Sequence, residues 1–414
     1  GYQIRIEKNK LSVPIFTFGI TDKDDGEKVC KAFLHLKSIT KADPFKWTYT
    51  KIINQYITAT KPLEVNFEDS ANHWHLGFWQ KEMMNTLYII GNGFDRYHGL
   101  DTRYQSFALF LKSKYNNIYE MFTQYYGLPD LDENDKASLY DPLWADFENA
   151  LAELDFQSVL DDNTDYLANP SSPDFRDRDW HTYQIEMEMI VDKLTKDLYK
   201  AFKEFILAVE FPENIDNKIL DFKNDSAFLN FNYTDTLEQY YFIKPSRILY
   251  IHGKAKIPDS ILVLGHAREP STFEEEVVKE PNGLSGEELQ MWRDNMADEY
   301  DYSYELGKSE LMSYFNGSFK STREIIQKNQ AYFDDLKNVK EVFVLGHSVS
   351  EVDQPYFKSV IQGISDKKAT WTITYYSDSE HDSHLAKLTA VGLDKSQINL
   401  VKMERLKRSV PTLF

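Results

Sequence analysis

The apolar positions of this chain fall into short unbroken runs that are separated by longer amphipathic stretches. An unbroken run of about five apolar residues predicts a strand buried on both faces of a parallel sheet, because a half-exposed strand would alternate apolar and polar residues. Helical patterns between the runs predict a doubly wound α/β fold with a parallel sheet. The runs are TLYII (86–90), AFLNF (227–231), ILYIH (248–252), ILVLG (261–265), VFVLG (342–346) and WTITYY (371–376).

Two long segments interrupt this alternation of strands and helices. Residues 104–225 are largely helical, and residues 270–335 are acidic and helical. We interpret both as large insertions that cap or wall the carboxyl edge of the sheet.

The first part of the chain does not follow the α/β pattern. Strand composition around Ile4 and in SVPIFTFGI, followed by a helical pattern, predicts a small α+β module over residues 1–65. The helix would carry Val29, Phe33 and Leu36. Residues 66–84 are interpreted as a linker, and residues 85–414 as the α/β domain with its insertions.

Charge and composition narrow the class of protein. The 414 residues include 47 basic and 66 acidic side chains, a formal net charge of −19, which opposes a polyanionic partner such as nucleic acid. The basic tail, Lys402 to Arg408, is explained at least as well by a solvated helix face. No apolar run approaches the roughly 20 residues of a membrane span, so we expect no membrane partner. The single cysteine, Cys30, indicates a cytoplasmic protein without a disulfide framework.

No metal site is expected from the spacing of histidines and carboxylates. His73 and His75 form an H-x-H pair, but neither a carboxylate nor a third histidine follows at ligand spacing.

Four polar motifs follow predicted strands directly. They are GNGFD (91–95), NFNYTD (230–235), HG (252–253) and GHSVSEVD (346–353). In a parallel sheet the carboxyl ends of the strands meet along one edge, and ligands bind where the strand order reverses. The shared position of the four motifs therefore predicts a binding site at that edge.

The first motif has the glycines of a phosphate-binding loop. Gly91 permits a tight turn and Gly93 lets backbone N–H groups approach an anion, although a turn without a ligand needs the same residues. The Asp95 carboxylate is a candidate to hydrogen-bond a ribose hydroxyl or its own turn. His98 is a candidate for a purely structural role. The next helix is expected near Thr102.

The second motif offers amide and hydroxyl groups. Asn232 presents a donor and an acceptor at fixed geometry, which suits holding a ribose or an attacking water. Thr234 and Asp235 are candidates for ligand contacts or for capping the helix that follows, with Glu238 completing a capping box.

Three histidines follow predicted strands and are candidates for proton transfer near neutral pH. His252 ends an otherwise apolar run, and His266 and His347 are its rivals. His347 and Ser348 could pair as base and nucleophile, but the second glycine of a nucleophile elbow is missing. Asp353 is a candidate helix cap as well as a ligand contact.

Five segments together resemble the bacteriophage abortive-infection AbiH family, from about Thr86 to the C-terminus. They are IIGNGFDRYHGLDTRYQSF, WADFENALAELD, FLNFNYTDTLE, IHG and VLGHSVSEVDQPYF. The order of the motifs is also similar to that of sirtuin-like (SIR2-like) defence domains. Those domains have a Rossmann-like sheet that binds NAD, and many of them cleave the bond between nicotinamide and ribose.

The resemblance implies that His252 and Asn232 are catalytic and that NAD is a substrate or ligand rather than a redox cofactor. Thr234 stands where the SIR2-like domains have an aspartate, with Asp235 displaced by one position. The residues expected to contact the nucleotide are Gly91, Asn92, Gly93, Phe94, Asp95, Thr234, Asp235, Gly346, His347, Ser348 and Asp353.

The function expected from these observations is that of an anti-phage effector that hydrolyses the N-glycosidic bond of NAD and so arrests the infected cell. Two alternatives stay open: a nucleotide-sensing module that does not catalyse, and a toxin that acts on nucleic acid. A homo-oligomer, a partner protein of a defence system and a phage-derived trigger also stay open.

Overall fold

The computed structural model describes the backbone of three short N-terminal strands and residues 84–408, apart from 136, 275–278, 299 and 367. The chain divides into two compact units, Gly1–Met83 and Met84–Phe414.

The described part of the first unit is an antiparallel sheet of β1 (Tyr2–Arg5), β2 (Ile15–Ile20) and β3 (Val65–Glu68), in that order. The two strands predicted near the N-terminus are confirmed, and β3 extends to Glu68, within the segment that was interpreted as a linker. The predicted helix with Val29, Phe33 and Leu36, the lone Cys30 and the H-x-H pair lie outside the described residues.

The second unit is built on a six-stranded sheet whose strand order is β6-β5-β4-β7-β8-β9. Every neighbouring pair is parallel, which confirms the Rossmann-like doubly wound fold. Within this unit β4 is central, and β5 and β6 follow on one side of it. The chain then returns to the other side of β4, where β7, β8 and β9 form the second half of the sheet. The strands are β4 (Thr86–Ile90), β5 (Ser226–Asn230), β6 (Ile248–Tyr250), β7 (Glu341–Leu345), β8 (Thr370–Tyr375) and β9 (Ile398–Lys402).

The central strands are apolar throughout because both of their faces are covered. Successive side chains of a strand point to opposite faces, so Leu87 and Ile89 pack on one side of β4 while Tyr88 and Ile90 pack on the other. This is why the strand reads as an unbroken run in the sequence.

Fifteen helices accompany the described strands, and most of those in the two predicted insertions build a core of their own. The buried positions of α8 recur at helical spacing, from Leu198 through Phe202 to Ile206, which gives one apolar face. Among the described residues, no helix is both long and apolar enough to cross a membrane. The helices are α1 (Asn92–His98), α2 (Tyr104–Lys114), α3 (Asn116–Tyr125), α4 (Pro142–Ala145), α5 (Phe147–Ala150), α6 (Phe156–Asp162), α7 (Thr182–Asp192), α8 (Leu198–Ala208), α9 (Thr236–Tyr241), α10 (Gly286–Asp298), α11 (Tyr302–Gly317), α12 (Thr322–Lys328), α13 (Gln330–Asp334), α14 (Gln354–Gly363) and α15 (Asp378–Ala390).

One predicted strand is wrong and one strand was not predicted. The run 261–265 lies outside the sheet: Leu262 and Leu264 pack into the core of the helical insertions, whereas Ile261 is 85% exposed. Its apolar residues therefore serve helix packing. Strand β9 contains only partly buried and exposed positions, as befits an edge strand, and so lacks the unbroken apolar pattern.

The first helix of the α/β domain begins earlier than expected. Helix α1 starts at Asn92, directly after Gly91, and ends at His98; Gly99 follows it with a φ of +94°, the left-handed conformation typical of a helix end. The expected start near Thr102 corresponds to the next helix, α2. The carboxyl end of β4 therefore leads straight into a helix.

The loops after β4 and β7 touch through their backbones at the point where the strand order reverses. The Gly91 N–H donates to the Leu345 carbonyl at 3.0 Å, and the Gly93 N–H donates to the Gly346 carbonyl at 2.7 Å. A Cβ on Gly93 would lie 2.8 Å from the Cα of Gly346. Only glycine permits this approach, so these residues join the two halves of the sheet.

We expect Gly346→Ala to destabilise the protein strongly. Gly346 has a φ of +63°, and a Cβ there would overlap the backbone of Gly93 and Phe94. The variant should lose about 1–2 kcal/mol from the left-handed conformation and about 1–3 kcal/mol more from overpacking. The change is measured as the free energy of unfolding in urea.

Gly127→Ala is the matched control, because Gly127 has a φ of +64° but no atom within 4 Å of the added Cβ. This control should show only the conformational loss of about 1–2 kcal/mol. Equal losses in the two variants would contradict the role of Gly346 in loop contact.

Candidate functional site

The carboxyl edge of the sheet opens into a cavity of about 1210 Å³. The loops after the strands form its floor, and the first helical insertion forms a wall that includes Tyr104, Glu148 and Phe202. At the other end of the strand order, Tyr376 and Lys402 line the cavity where β8 and β9 finish. The predicted convergence of strand-end motifs at one edge is therefore what the structure shows.

Most of the predicted site residues line this cavity, and two do not. Those that line it are Gly91, Asn92, Gly93, Asp95, Asn232, Thr234, His252, Gly346, His347, Ser348 and Asp353. The two exceptions are Phe94 and Asp235. Their predicted contact with a nucleotide has no support from the geometry.

Phe94 and Asp235 have structural partners instead. The Phe94 side chain is fully buried in the core between the sheet and helices α1 and α9. The Asp235 carboxylate pairs with Lys256 at 2.9 Å and accepts from Gln239 at 3.1 Å. It makes no capping hydrogen bond to α9, so the predicted capping box with Glu238 does not form.

Asp95 ties the loop after β4 to the loop after β5. Its carboxylate accepts hydrogen bonds from the Thr234 hydroxyl at 2.6 Å and the Thr236 hydroxyl at 2.7 Å. Burial raises the pKa of Asp95 to about 6, and these hydrogen bonds partly oppose that shift. Asp95 and Thr234 therefore fix the loops to each other.

Asn232, in the loop after β5, also holds the loop after β4. Its Nδ2 donates to the Gly91 carbonyl at 3.1 Å, and its own backbone N–H donates to Asn230 Oδ1 at 2.9 Å. The side chain is nearly buried yet lines the cavity. Its amide is therefore held in one orientation in the cavity wall.

His252 is buried in the cavity wall with one ring nitrogen unpaired. The residue is 3% exposed, and its Nε2 has no hydrogen-bond partner among the described residues. The nearest carboxylate oxygen, Asp353 Oδ1, lies 3.8 Å away. Burial, reinforced by the charge of Lys320, holds the pKa of His252 well below its ordinary value. The imidazole is thus neutral at pH 7.

His347 flanks the same carboxylate from the loop after β7. Its Nδ1 accepts the Val349 N–H at 2.9 Å, which leaves the proton of the neutral ring on Nε2, 3.5 Å from Asp353 Oδ2. Burial lowers the pKa of His347 to about 4. Since His347 faces Asp353 and Ser348 is exposed, the geometry does not support the two as a base–nucleophile pair.

The loop that carries His347 is conformationally strained. Val349 is fully buried and has a φ of +50°, a conformation that β-branched residues rarely adopt. Its N–H is the donor to His347, so the strained position and the ring orientation are coupled. Strain of this kind is often found at functional sites.

A buried lysine links both helical insertions to the site. Lys320 Nζ lies 3.0 Å from Glu148 Oε2 and 3.0 Å from Asp353 Oδ1, and its side chain is fully buried. The Tyr104 hydroxyl donates to Glu148 Oε1 at 2.7 Å, and the Ser350 hydroxyl donates to Asp353 Oδ2 at 3.0 Å. We call Glu148, Lys320 and Asp353 the charged cluster.

The pairing shifts the pKa values within the charged cluster. Burial lowers the pKa of Lys320, but the two carboxylates outweigh it and raise the pKa above its ordinary value. Burial raises the pKa of Asp353, but Lys320 and the two histidines outweigh it and hold the pKa well below its ordinary value. Asp353 and Lys320 are therefore both charged at pH 7. The Asp353 side chain makes no capping hydrogen bond to α14.

Sequence reasoning missed Glu148, Lys320, Tyr104 and Ser350. Glu148 falls within the quoted segment WADFENALAELD, which was the only signal for it. Lys320 stands alone in GSFK, with no motif around it. Both belong to the insertions, whose contact with the site could not be read from strand-end positions.

The predictions for His266 and His98 have different outcomes. His266 is buried among Phe273, Phe315 and Phe319, and it does not line the cavity. His98 is local scaffolding, as expected: its ring contacts the Phe94 carbonyl at 2.7 Å and the Tyr241 hydroxyl at 2.6 Å.

The fold and the cavity define a Rossmann-like α/β protein with its candidate site at the reversal of strand order. The family model for "Bacteriophage abortive infection AbiH" matches residues 87–375. This match covers well over half of the 414 residues, so the chain belongs to the AbiH family. Membership implies a role in phage abortive infection. No curated protein and no solved structure matches the chain significantly.

Asp95→Asn is expected to remove one contribution to the pH dependence of stability. The pKa of Asp95 rises from 3.8 to about 6 on folding, so between these values the folded chain holds a proton that the unfolded chain has released. Stability from this group therefore falls as the pH rises through the window, by about 3 kcal/mol in all.

The measurement is the free energy of unfolding of both proteins in urea, at about pH 4 and about pH 7.5. The free energy of unfolding of the variant, relative to that of the wild type, should rise by about 2–3 kcal/mol from the lower to the higher pH. A constant difference would contradict the raised pKa of Asp95.

Lys320→Met is expected to destabilise the protein by about 3–5 kcal/mol, because two buried carboxylates lose their cation. Adding Glu148→Gln should recover part of this loss, since one of the two unpaired charges is then removed. Lys112→Met is the control: its pair with Asp130 is exposed, and such pairs contribute about 0–1 kcal/mol. Similar unfolding free energies for the Lys320 and Lys112 variants would contradict the role of the charged cluster.

Proposed function

We propose that the α/β domain binds NAD in the cavity and hydrolyses the N-glycosidic bond between nicotinamide and ribose, and that this reaction arrests the infected cell. The single observation that carries the proposal is His252: a neutral, deeply buried imidazole with an unpaired Nε2 in the wall of a large cavity. Its place at the reversal of strand order in a Rossmann-like sheet supports a nucleotide as the ligand.

The extent of the cavity supports an elongated ligand. His252 follows β6 at one end of the strand order, and Lys402 ends β9 at the other. Five strand spacings of about 4.8 Å separate the two edge strands, roughly 24 Å in all. A dinucleotide suits this span better than a single nucleoside does.

Cationic side chains in the cavity wall support an anionic ligand, in spite of the net charge of −19. Arg96, Arg103, Lys387 and Lys402 all line the cavity. The N–H groups of Gly91 and Gly93 are already donated to carbonyls of the β7 loop. We therefore assign the pyrophosphate to these side chains, and assign Gly91 and Gly93 the role of shaping the floor.

The chemistry that we propose needs one base and one water molecule. Neutral His252 takes a proton from the water as the water oxygen bonds to C1′ of the ribose. The bond from C1′ to the ring nitrogen of nicotinamide breaks, and its electron pair neutralises the pyridinium, so nicotinamide leaves uncharged. Asn232, held by the Gly91 carbonyl, positions the ribose or the water. The similarity of the motif order to SIR2-like domains supports the same reaction.

A second candidate function is a nucleotide sensor that does not catalyse. The observation that favours it is the commitment of Asp95, Thr234 and Asn232 to hydrogen bonds between loops. A ligand that reaches these groups would rearrange the loops. In a thermal-shift assay, stabilisation by intact NAD without any release of nicotinamide would favour this function over hydrolysis.

We expect purified protein to release nicotinamide from NAD, with phage extract supplied as an activator. His252→Gln and Asn232→Ala should each reduce the rate by at least about 10²-fold, the lower end of the contribution of a general base. The rate is measured by chromatography of the released nicotinamide.

His266→Gln is the matched control for His252→Gln. His266 is 1% exposed, burial lowers its pKa to about 4, and it lies outside the cavity. The control should keep the wild-type rate per folded molecule. Hydrolysis of NAD would be refuted if folded wild-type protein released no nicotinamide either with or without phage extract.

A further inference from the structure

Two members of the charged cluster line the cavity, Glu148 and Asp353, and Glu148 is the more exposed of the two. It lies on α5, in the first helical insertion, and lines the cavity. Its side chain is 17% exposed, whereas that of Lys320 is 0% exposed. A bound molecule can therefore touch the side chain of Glu148 but not that of Lys320.

Two carboxylates and one ammonium lie close together in this wall. Glu148 Oε2 and Asp353 Oδ1 lie within about 6 Å of each other, because each is 3.0 Å from Lys320 Nζ. Burial raises the pKa of Glu148 above its ordinary value, and the charge of Lys320 opposes that shift. With Glu148 ionised beside Asp353 and Lys320, the cluster carries one net negative charge in a poorly hydrated wall. A fixed charge in such surroundings acts more strongly on a neighbouring ion than it would in water.

A second observation, independent of the charged cluster's own contacts, favours a ligand against this wall. His252 is only 3% exposed, and its unpaired Nε2 lies 3.8 Å from Asp353 Oδ1. A buried polar atom without a partner is costly in a folded protein unless a ligand completes it. The unpaired nitrogen and the net negative charge share one wall of the cavity.

The proposed reaction creates positive charge at a defined atom. Cleavage of an N-glycosidic bond passes through a cationic, oxocarbenium-like ribose. Preorganised charge directed at such an atom is a large contribution to catalysis, about 10²–10³-fold for a single group. A negative wall suits this transition state better than it suits the neutral ribose of the products.

We propose that Glu148 is a further catalytic residue whose carboxylate faces the ribosyl cation, and that Lys320 is the positioning residue that holds it. This inference rests on the proposed function, because it assigns a role within the same reaction. Tyr104 donates to the other carboxylate oxygen and fixes its orientation. The first helical insertion would thus supply a charged group to a site whose proposed base, His252, and positioning amide, Asn232, follow strands of the sheet.

The first test is the kinetics of Glu148→Gln, which keeps the size of the side chain and removes its charge. We expect kcat to fall by about 10²–10³-fold, with KM changed less than about threefold and the melting temperature within a few degrees of wild type. The control is Glu153→Gln, because Glu153 is 58% exposed, pairs with Arg268 and lies outside the cavity. A fall in kcat that merely follows a loss of folded protein would make Glu148 structural and overturn the proposal.

The second test does not depend on turnover. Calorimetry compares the binding of an iminoribitol, which is protonated at neutral pH, with that of neutral 1,4-anhydroribitol. The wild type should bind the cationic probe at least about tenfold more tightly than the neutral probe, and Glu148→Gln should abolish this preference. A wild type without the preference, whether it binds both probes equally or neither, overturns the proposal.

The two tests separate this proposal from the proposed function. If the folded wild type releases no nicotinamide but retains a preference for the cationic probe that Glu148→Gln removes, hydrolysis of NAD fails and the recognition of a cationic ribose by Glu148 stands. If nicotinamide is released at the same rate by Glu148→Gln, hydrolysis stands and the role of Glu148 fails.

Discussion

The close contact between the backbones after β4 and β7 is the constraint on which the rest of the site depends. Gly93 donates to the Gly346 carbonyl at 2.7 Å, a distance that leaves no space for a Cβ on either loop. The contact fixes where helix α1 begins and where His347 leaves β7. The Gly91 carbonyl, held in the same turn, in turn fixes the amide of Asn232. These glycines join the two halves of the sheet, and a phosphate-binding role alone would not account for that contact.

Much of the sheet could be predicted because its strands are buried on both faces. Five of the six predicted runs coincide with strands, and the four strand-end motifs meet at one edge as the parallel arrangement requires. The failures share a physical cause: hydrophobicity reports burial, not hydrogen-bond partners. Leu262 and Leu264 are buried by helices rather than by a sheet, and the half-exposed β9 pairs with β8 without an apolar run.

The candidate site was predictable only where it follows the strands. His252 and His347 come within two residues of a strand end, and Asp353 ends the motif that follows β7, so topology alone placed them together. Glu148 and Lys320 are separated by 172 positions and reach the site from two different insertions. Neither periodicity nor local motif reports a contact of that kind, since it depends on how two helical segments pack on each other. Only the folded chain shows that these two side chains pair.

The charged cluster also bears on why the insertions exist. A buried group of two carboxylates and one ammonium adds little to stability, and apolar side chains of similar size often stabilise a fold as well or better. The neighbouring core of the insertions, with Phe107, Phe147 and Tyr314 fully buried, shows that this region can be packed without charge. The charges lie where the insertions meet the cavity, beside the unpaired nitrogen of His252. Their position is therefore better explained by the chemistry of the cavity than by the packing of the helices.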